Sequence, residues 1–243
     1  MGEWTAGRPG VDRRVERVDR SMRSHYLQGV TGNSIIRKPL PYRQFNAALI
    51  LIGINVFVFF VNQIAPQTVF LIAMNPAAVM DRGLFWQPFT YMFAHAGITH
   101  ILFNMLGIFF FGTQVEARLG SYEFLLFFGL TGLLAGLFSL GFYMMTGNAG
   151  VILLGASGAV FAVLLAFATL FPDAMIYLFG IIPVRAPILV IGYTFIEIYS
   201  QVGGAGGNVA HFTHLAGFFF AFLYFVIRLR INPIRVFLED MRS

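Results

Sequence analysis

The chain has 243 residues, of which 58% are hydrophobic and only 11% charged, with a mean hydropathy of +0.75. A soluble domain carries about a quarter charged residues, so this composition excludes an ordinary soluble globule and describes a multi-pass membrane protein with room for about six spans. Cysteine is absent, which excludes disulfides and thiolate metal sites.

Residues 1–44 are the only soluble-looking part. VDRRVERVDRSMRSHYL places Val11, Val15, Val18 and Met22 along one helix face, and reads equally as a basic helix on the membrane surface or as a disordered arm. No short apolar stretch ends there at a small-residue cleavage site, so no cleavable signal peptide is expected. Six apolar segments follow, at about 45–64, 99–115, 122–146, 151–171, 187–199 and 210–229, each measured against the roughly 20 residues a span needs. Residues 65–98 are too apolar for a solvated loop, yet Pro66, Pro76 and Pro88 break them, while Trp86 and Tyr91 suit a membrane interface. A loop half sunk in the membrane is expected. The apolar run MIYLFGIIPV, residues 175–184, extends the fifth segment toward its N-terminal side. SQVGGAGGN, residues 200–208, reads as a plain connector or as a movable cap beside a gating fifth helix. The organisation expected is a basic segment 1–44, a bundle 45–230 and a tail 231–243.

Of the sixteen Lys and Arg residues, only Arg82 falls on the side opposite the termini when six spans are threaded. That bias makes both termini cytoplasmic. The net charge of +5 then reflects topology and attraction to anionic lipid, with no nucleic-acid partner implied.

Polar groups at membrane depth are costly and are functional candidates by default. They are His95, His100, Asn104, Ser157, Glu197, His211 and His214. His100 and Asn104 share one helix face and His211 and His214 another, with Ser157 on a third segment. If these faces converge, the bundle holds a nucleophile, imidazole bases and oxyanion donors, the inventory of acyl transfer. A metal or haem site built from His95, His100, His211 and His214 is the competing reading, but it gives no reason for the sequence GASG, residues 155–158. Gly155 and Gly158 permit backbone geometry or close approach that a side chain forbids. A helix starting at Ser157 spans only about 22 Å to Phe171, short of the roughly 30 Å core. VILLGA would then descend in extended form and deliver the serine below the surface, beside the free N–H groups of a helix start. Gly158, Ala162 and Ala166 form a small-residue stripe, as do Gly217 and Ala221 just past His214. Packing the two stripes would bring His214 to Ser157.

HILFN (His100 to Asn104), EARLG (Glu116 to Gly120), GASG and HLAGFFFA (His214 to Ala221) occur in this order, preceded by WQPFTYMFAH. Together they resemble the rhomboid intramembrane serine proteases over about residues 45–230. The resemblance implies an all-α, six-helix membrane bundle with a membrane-embedded first loop. It implies Ser157 as nucleophile and His214 as general base. An oxyanion hole would come from His100, Asn104 and the Ser157 backbone N–H. Phe161 would lie against the histidine, His95 would be a structural loop residue, and Gly155, Gly158 and Gly217 would support the site. Ala221 stands where the family often has glycine, a departure that loosens packing. The glycine spacing after His214 fits the pattern and that after His211 does not. With no carboxylate near His214 in sequence and Glu197 one helix away, a Ser–His dyad is expected rather than a triad. The reading implies no cofactor and no metal, transmembrane proteins as substrates, and residence in a bacterial inner membrane. A rhomboid-like protein that binds membrane clients without cutting them is the alternative.

Overall fold

The computed structural model describes residues 35–38, 40–178, 180–203 and 209–240. The basic segment before residue 35 and residues 204–208 of the glycine-rich connection lie outside the described residues. The first long helix, α1 (Ala47–Ile64), begins where two backbone N–H groups meet a buried carboxylate: Ala47 and Ala48 donate to Glu116 at 2.7 and 2.9 Å. A negative group there satisfies orphan donors and complements the helix dipole. Ser121 also donates to Glu116. EARLG therefore has a structural task at this end.

The proline-broken segment forms short helices, α2 (Val69–Ile72), α3 (Pro76–Arg82) and α4 (Gln87–Thr90). Proline opens α3 at a position where its missing N–H costs nothing. The loop meets its own polar demand: Trp86 Nε1, Gln87 Nε2 and Thr90 Oγ1 donate to the carbonyls of Leu71, Phe70 and Ile72 at 2.8–3.0 Å. Irregular backbone at membrane depth needs such internal partners.

α5 (Ile98–Leu119) is continuous through a π-helical turn at Ile108–Gly112. α6 (Ser121–Met145) follows, and then α7 (Ser157–Leu170). Next come β1 (Met175–Leu178) and β2 (Ile182–Arg185), then α8 (Ala186–Gly203) and α9 (Val209–Tyr224). α9 runs into a π-helical turn at Phe225–Leu229, and α10 (Pro233–Asp240) closes the described chain. Four helices are long and apolar enough to cross a membrane, and Ser157–Leu170 and Ala186–Tyr199 are shorter apolar helices.

MIYLFGIIPV does not lengthen the fifth helix. It is an antiparallel hairpin with Met175 opposite Arg185 and Leu178 opposite Ile182. Gly180, at φ 74, supplies the turn, and a short apolar run carries no periodicity that separates strand from helix.

The bundle is small inside and bulky outside. α7 occupies the centre, with Ala159, Ala162, Ala166 and Ala168 fully buried, while Phe57, Phe60, Phe103 and Phe195 face outward. Such an exterior suits lipid, and small interior residues let backbones approach. Near the end where α9 leaves the bundle, Arg228 is buried and paired with Glu123 at 2.5 Å. Tyr224 donates to the same carboxylate, and Arg228 also reaches the carbonyls of Ile36 and Lys38.

Candidate active site

Ser157 is the first residue of α7. Gly155 ahead of it sits at φ 113, a region that side chains resist, and a Cβ there would lie 2.6 Å from the His100 ring. The glycine turns the chain into the helix and lets an imidazole rest against its backbone. Residues 151–156 are not helical. Leu153 and Met74 exchange backbone hydrogen bonds at 2.8 and 2.9 Å, and the Gly155 N–H donates to the Tyr91 carbonyl at 2.9 Å. The embedded loop thus satisfies the extended backbone that delivers the serine. The Tyr91 hydroxyl in turn donates to the Gly132 carbonyl of α6 at 2.9 Å.

α9 crosses α7 at the two small-residue stripes. A Cβ on Gly217 would stand 2.0 Å from the Gly158 carbonyl oxygen, and one on Gly158 would stand 3.0 Å from Thr213 Cγ2. At that distance, one turn before Gly217, His214 Nε2 lies 2.7 Å from Ser157 Oγ. Phe161 stacks on the His214 ring, with centroids 4.2 Å apart and planes 7° from parallel. The Thr213 and Ser139 hydroxyls meet at 2.7 Å and pin α9 to α6.

The expected dyad gains a third partner. His214 Nδ1 lies 3.1 Å from Glu197 Oε1, and His211 Nδ1 lies 2.5 Å from Glu197 Oε2. Packing of α8 against α9 brings the carboxylate across from the next helix, which sequence spacing did not place. The signal was nonetheless present, since a lone carboxylate in an apolar helix demands a partner. Glu197 is 6% exposed, and two imidazoles share it.

His100 lies against Gly155. Asn104, buried one turn along the same face, donates Nδ2–H to its own helix at the His100 carbonyl, 2.8 Å away. Its second amide hydrogen remains for a ligand. His95 is buried in the loop and meets His100 edge to face at 5.2 Å. Neither of its ring nitrogens makes a hydrogen bond of good geometry among the described residues. Burial, and then the neighbouring His100, push the His95 pKa down to about 4.

The four membrane histidines do not form one metal cluster. Among the described residues, the group with ligand atoms close enough to share an ion is Glu197, His211 and His214, all within 4.8 Å of one another.

The family profile of the Rhomboid domain matches residues 82–231. The chain belongs to the rhomboid family. This rhomboid is 30% identical to RHOMBOID-like protein 12, mitochondrial, of Arabidopsis thaliana, over 79% of the chain and 58% of that relative. It is 30% identical to Rhomboid protease GlpG of an Enterobacter species, over 69% of the chain and 59% of that relative. Against Putative rhomboid protease YdcA of Bacillus subtilis it is 38% identical over 32% of the chain and 38% of that relative. These matches span about three fifths or less of the relatives' own length. The apolar helices and the family together make this rhomboid a multi-pass membrane protein.

Proposed function

We propose that the chain is an intramembrane serine endopeptidase that cuts membrane-protein substrates in or near their transmembrane segments. The observation that carries this reading is the 2.7 Å contact between Ser157 Oγ and His214 Nε2 at the start of a buried helix.

With Nδ1–H donated to Glu197, His214 presents the Nε2 lone pair to the serine hydroxyl. The base accepts the Ser157 proton as Oγ attacks the substrate carbonyl, then returns it to the leaving amine. Water, activated by the same nitrogen, releases the acyl group. Glu197 acts as a positioning residue, fixing the tautomer and stabilising the imidazolium. The Ser157 N–H, the second Asn104 amide hydrogen and the His100 ring are the groups assigned to the oxyanion. Phe161 holds the imidazole plane.

The full arrangement in this reading is six spans over residues 45–230, between a basic segment 1–44 and a tail 231–243. Both termini face the cytoplasm of a bacterial cell and the bundle lies in the inner membrane. The substrate helix must unwind at the cut, so small or helix-breaking residues are favoured there.

The test is covalent labelling of the purified full chain by a fluorophosphonate probe. Labelling is lost in Ser157→Ala and His214→Ala and persists in His211→Ala. Loss with His211 and not His214 moves the base by one turn. A folded wild type that never labels refutes the protease reading and favours client binding.

A further inference from the structure

Glu197, His211 and His214 make an arrangement that proton transfer alone does not require. One carboxylate is shared by two imidazoles through the same ring atom, Nδ1, from its two oxygens. The rings stand 88° apart with centroids at 6.4 Å, so the two nitrogens converge on the carboxylate from different directions. Thiolates are absent from the chain, and the donor set is two imidazoles and one carboxylate. That set suits zinc and its neighbours in the transition series, whereas magnesium and calcium select oxygen ligands.

We infer that Glu197, His211 and His214 form a binding site for a divalent transition metal of the zinc type, and that its occupancy silences the proposed base. The inference rests on the serine-protease reading for its effect, but not for the binding itself.

The geometry is close to what the ion needs. Ligand atoms about 2.0–2.1 Å from a tetrahedral zinc stand about 3.3 Å from one another. The three ligand atoms here already lie within 4.8 Å. Modest side-chain rotation closes the remainder and leaves a fourth position for water. The site is reachable, because the His211 side chain is 19% exposed whereas that of Glu197 is 8% exposed. A carboxylate in a low-dielectric surrounding also favours a cation beside it.

The chemistry of silencing follows from the tautomer. Without metal, each neutral imidazole has its proton on Nδ1, directed at Glu197, and the His214 Nε2 lone pair faces Ser157. A metal on Nδ1 displaces that proton, which relocates through water to Nε2. No oxidation state changes and the carboxylate stays ionised. His214 Nε2 then donates a hydrogen bond to Ser157 Oγ and has no lone pair left to accept the serine proton. The nucleophile stays a neutral hydroxyl. His211, which the proposed peptide hydrolysis leaves without a task, is the ligand that completes the site.

The experiment uses the full chain in detergent, stripped with a chelator, with zinc chloride as the probe. Zinc binding is read by competition with a chromophoric chelator in wild type, Ser157→Ala, Glu197→Gln, His211→Ala and the conservative His211→Asn. Unfolding temperature is checked for each variant. Wild type and Ser157→Ala are expected to bind one equivalent alike. The Glu197 and His211 variants are expected to bind at least about tenfold more weakly. The rate of fluorophosphonate labelling is then compared with and without zinc for wild type, Glu197→Gln and the two His211 variants, all of which keep Ser157. Zinc should slow the wild type at least about tenfold, a chelator should restore it, and the ratio should approach one in His211→Asn. Absence of zinc binding in folded Ser157→Ala, or binding that ignores both Glu197 and His211, overturns the site. Binding as expected with no effect on labelling overturns the silencing. If the wild type never labels while Ser157→Ala binds zinc as described, the metal site stands and the protease reading alone falls.

Discussion

Replacing Gly217 with alanine isolates the contact that sets the distance between the proposed nucleophile Ser157 and the proposed base His214. The new Cβ would stand 2.0 Å from the Gly158 carbonyl oxygen and 2.9 Å from its carbon. Both are backbone atoms, so no rotamer relieves the clash. A carbon–oxygen contact relaxes to about 3.3 Å, so α9 must retreat from α7 by about 1.3 Å at this point. His214 lies one turn away on the same helix. Carried through, the 2.7 Å Ser157–His214 contact opens to about 4 Å, beyond hydrogen-bonding range. A misplacement of about 1 Å can cost about 100-fold in rate, and that is the loss expected in fluorophosphonate labelling. Alanine gains about 1 kcal/mol in helix propensity over glycine, which offsets part of an overpacking cost of about 1–3 kcal/mol, so Gly217→Ala should stay folded with a lowered unfolding temperature. Gly141→Ala, where a Cβ meets nothing within 4 Å, is the control and should label like wild type. Gly217→Ala labelling at the wild-type rate, with the same unfolding temperature, would refute the packing argument.

Other perturbations bear on separate parts of the structure. Gly155→Ala combines a strained φ of 113 with a Cβ 2.6 Å from the His100 ring; labelling should fall at least about tenfold, and a wild-type rate would show that His100 is free to move away. Glu123→Ala strands the buried Arg228 guanidinium and should destabilise the fold by about 3–5 kcal/mol, read by denaturant or thermal unfolding in detergent. His95 gives a pH dependence whose sign is fixed. Its pKa is held down to about 4 in the folded chain against about 6.5 in an unfolded one, so the unfolded state binds the extra proton. Stability should therefore be full above about pH 6.5 and should fall by about 3 kcal/mol as pH drops toward 4. His95→Phe should flatten that slope, and an unchanged slope would assign the acid sensitivity elsewhere.

Much of this architecture was legible in the chain. The proline-broken segment 65–98 had to become something other than a span, and it forms short helices that bond to themselves. The 14-residue α7 begins at Ser157, where the length argument placed it, because a glycine at a positive φ stands just before it. The small-residue stripes predicted which helices cross, since alanine and glycine advertise close approach by what they lack. Other features left no such mark. The partner of Glu197 depends on how α8 is rotated against α9, and rotation is decided by packing rather than by spacing. Asn104 turns its amide toward the carbonyl of its own helix, a local choice that helical periodicity cannot express. The hairpin at residues 175–185 was hidden in an apolar run that suits helix and strand alike.

The backbone bonds of Gly155 to Tyr91 and of Leu153 to Met74 tie the serine's approach strand to the loop, and the Tyr91 hydroxyl ties that loop to the Gly132 carbonyl of α6. The helix that carries His214 is fastened to the same α6, through Thr213 and Ser139. α6 is thus a common mount for both halves of the Ser157–His214 contact. A displacement of α6 carries the two side chains together, so their spacing is insulated from motion of the outer helices.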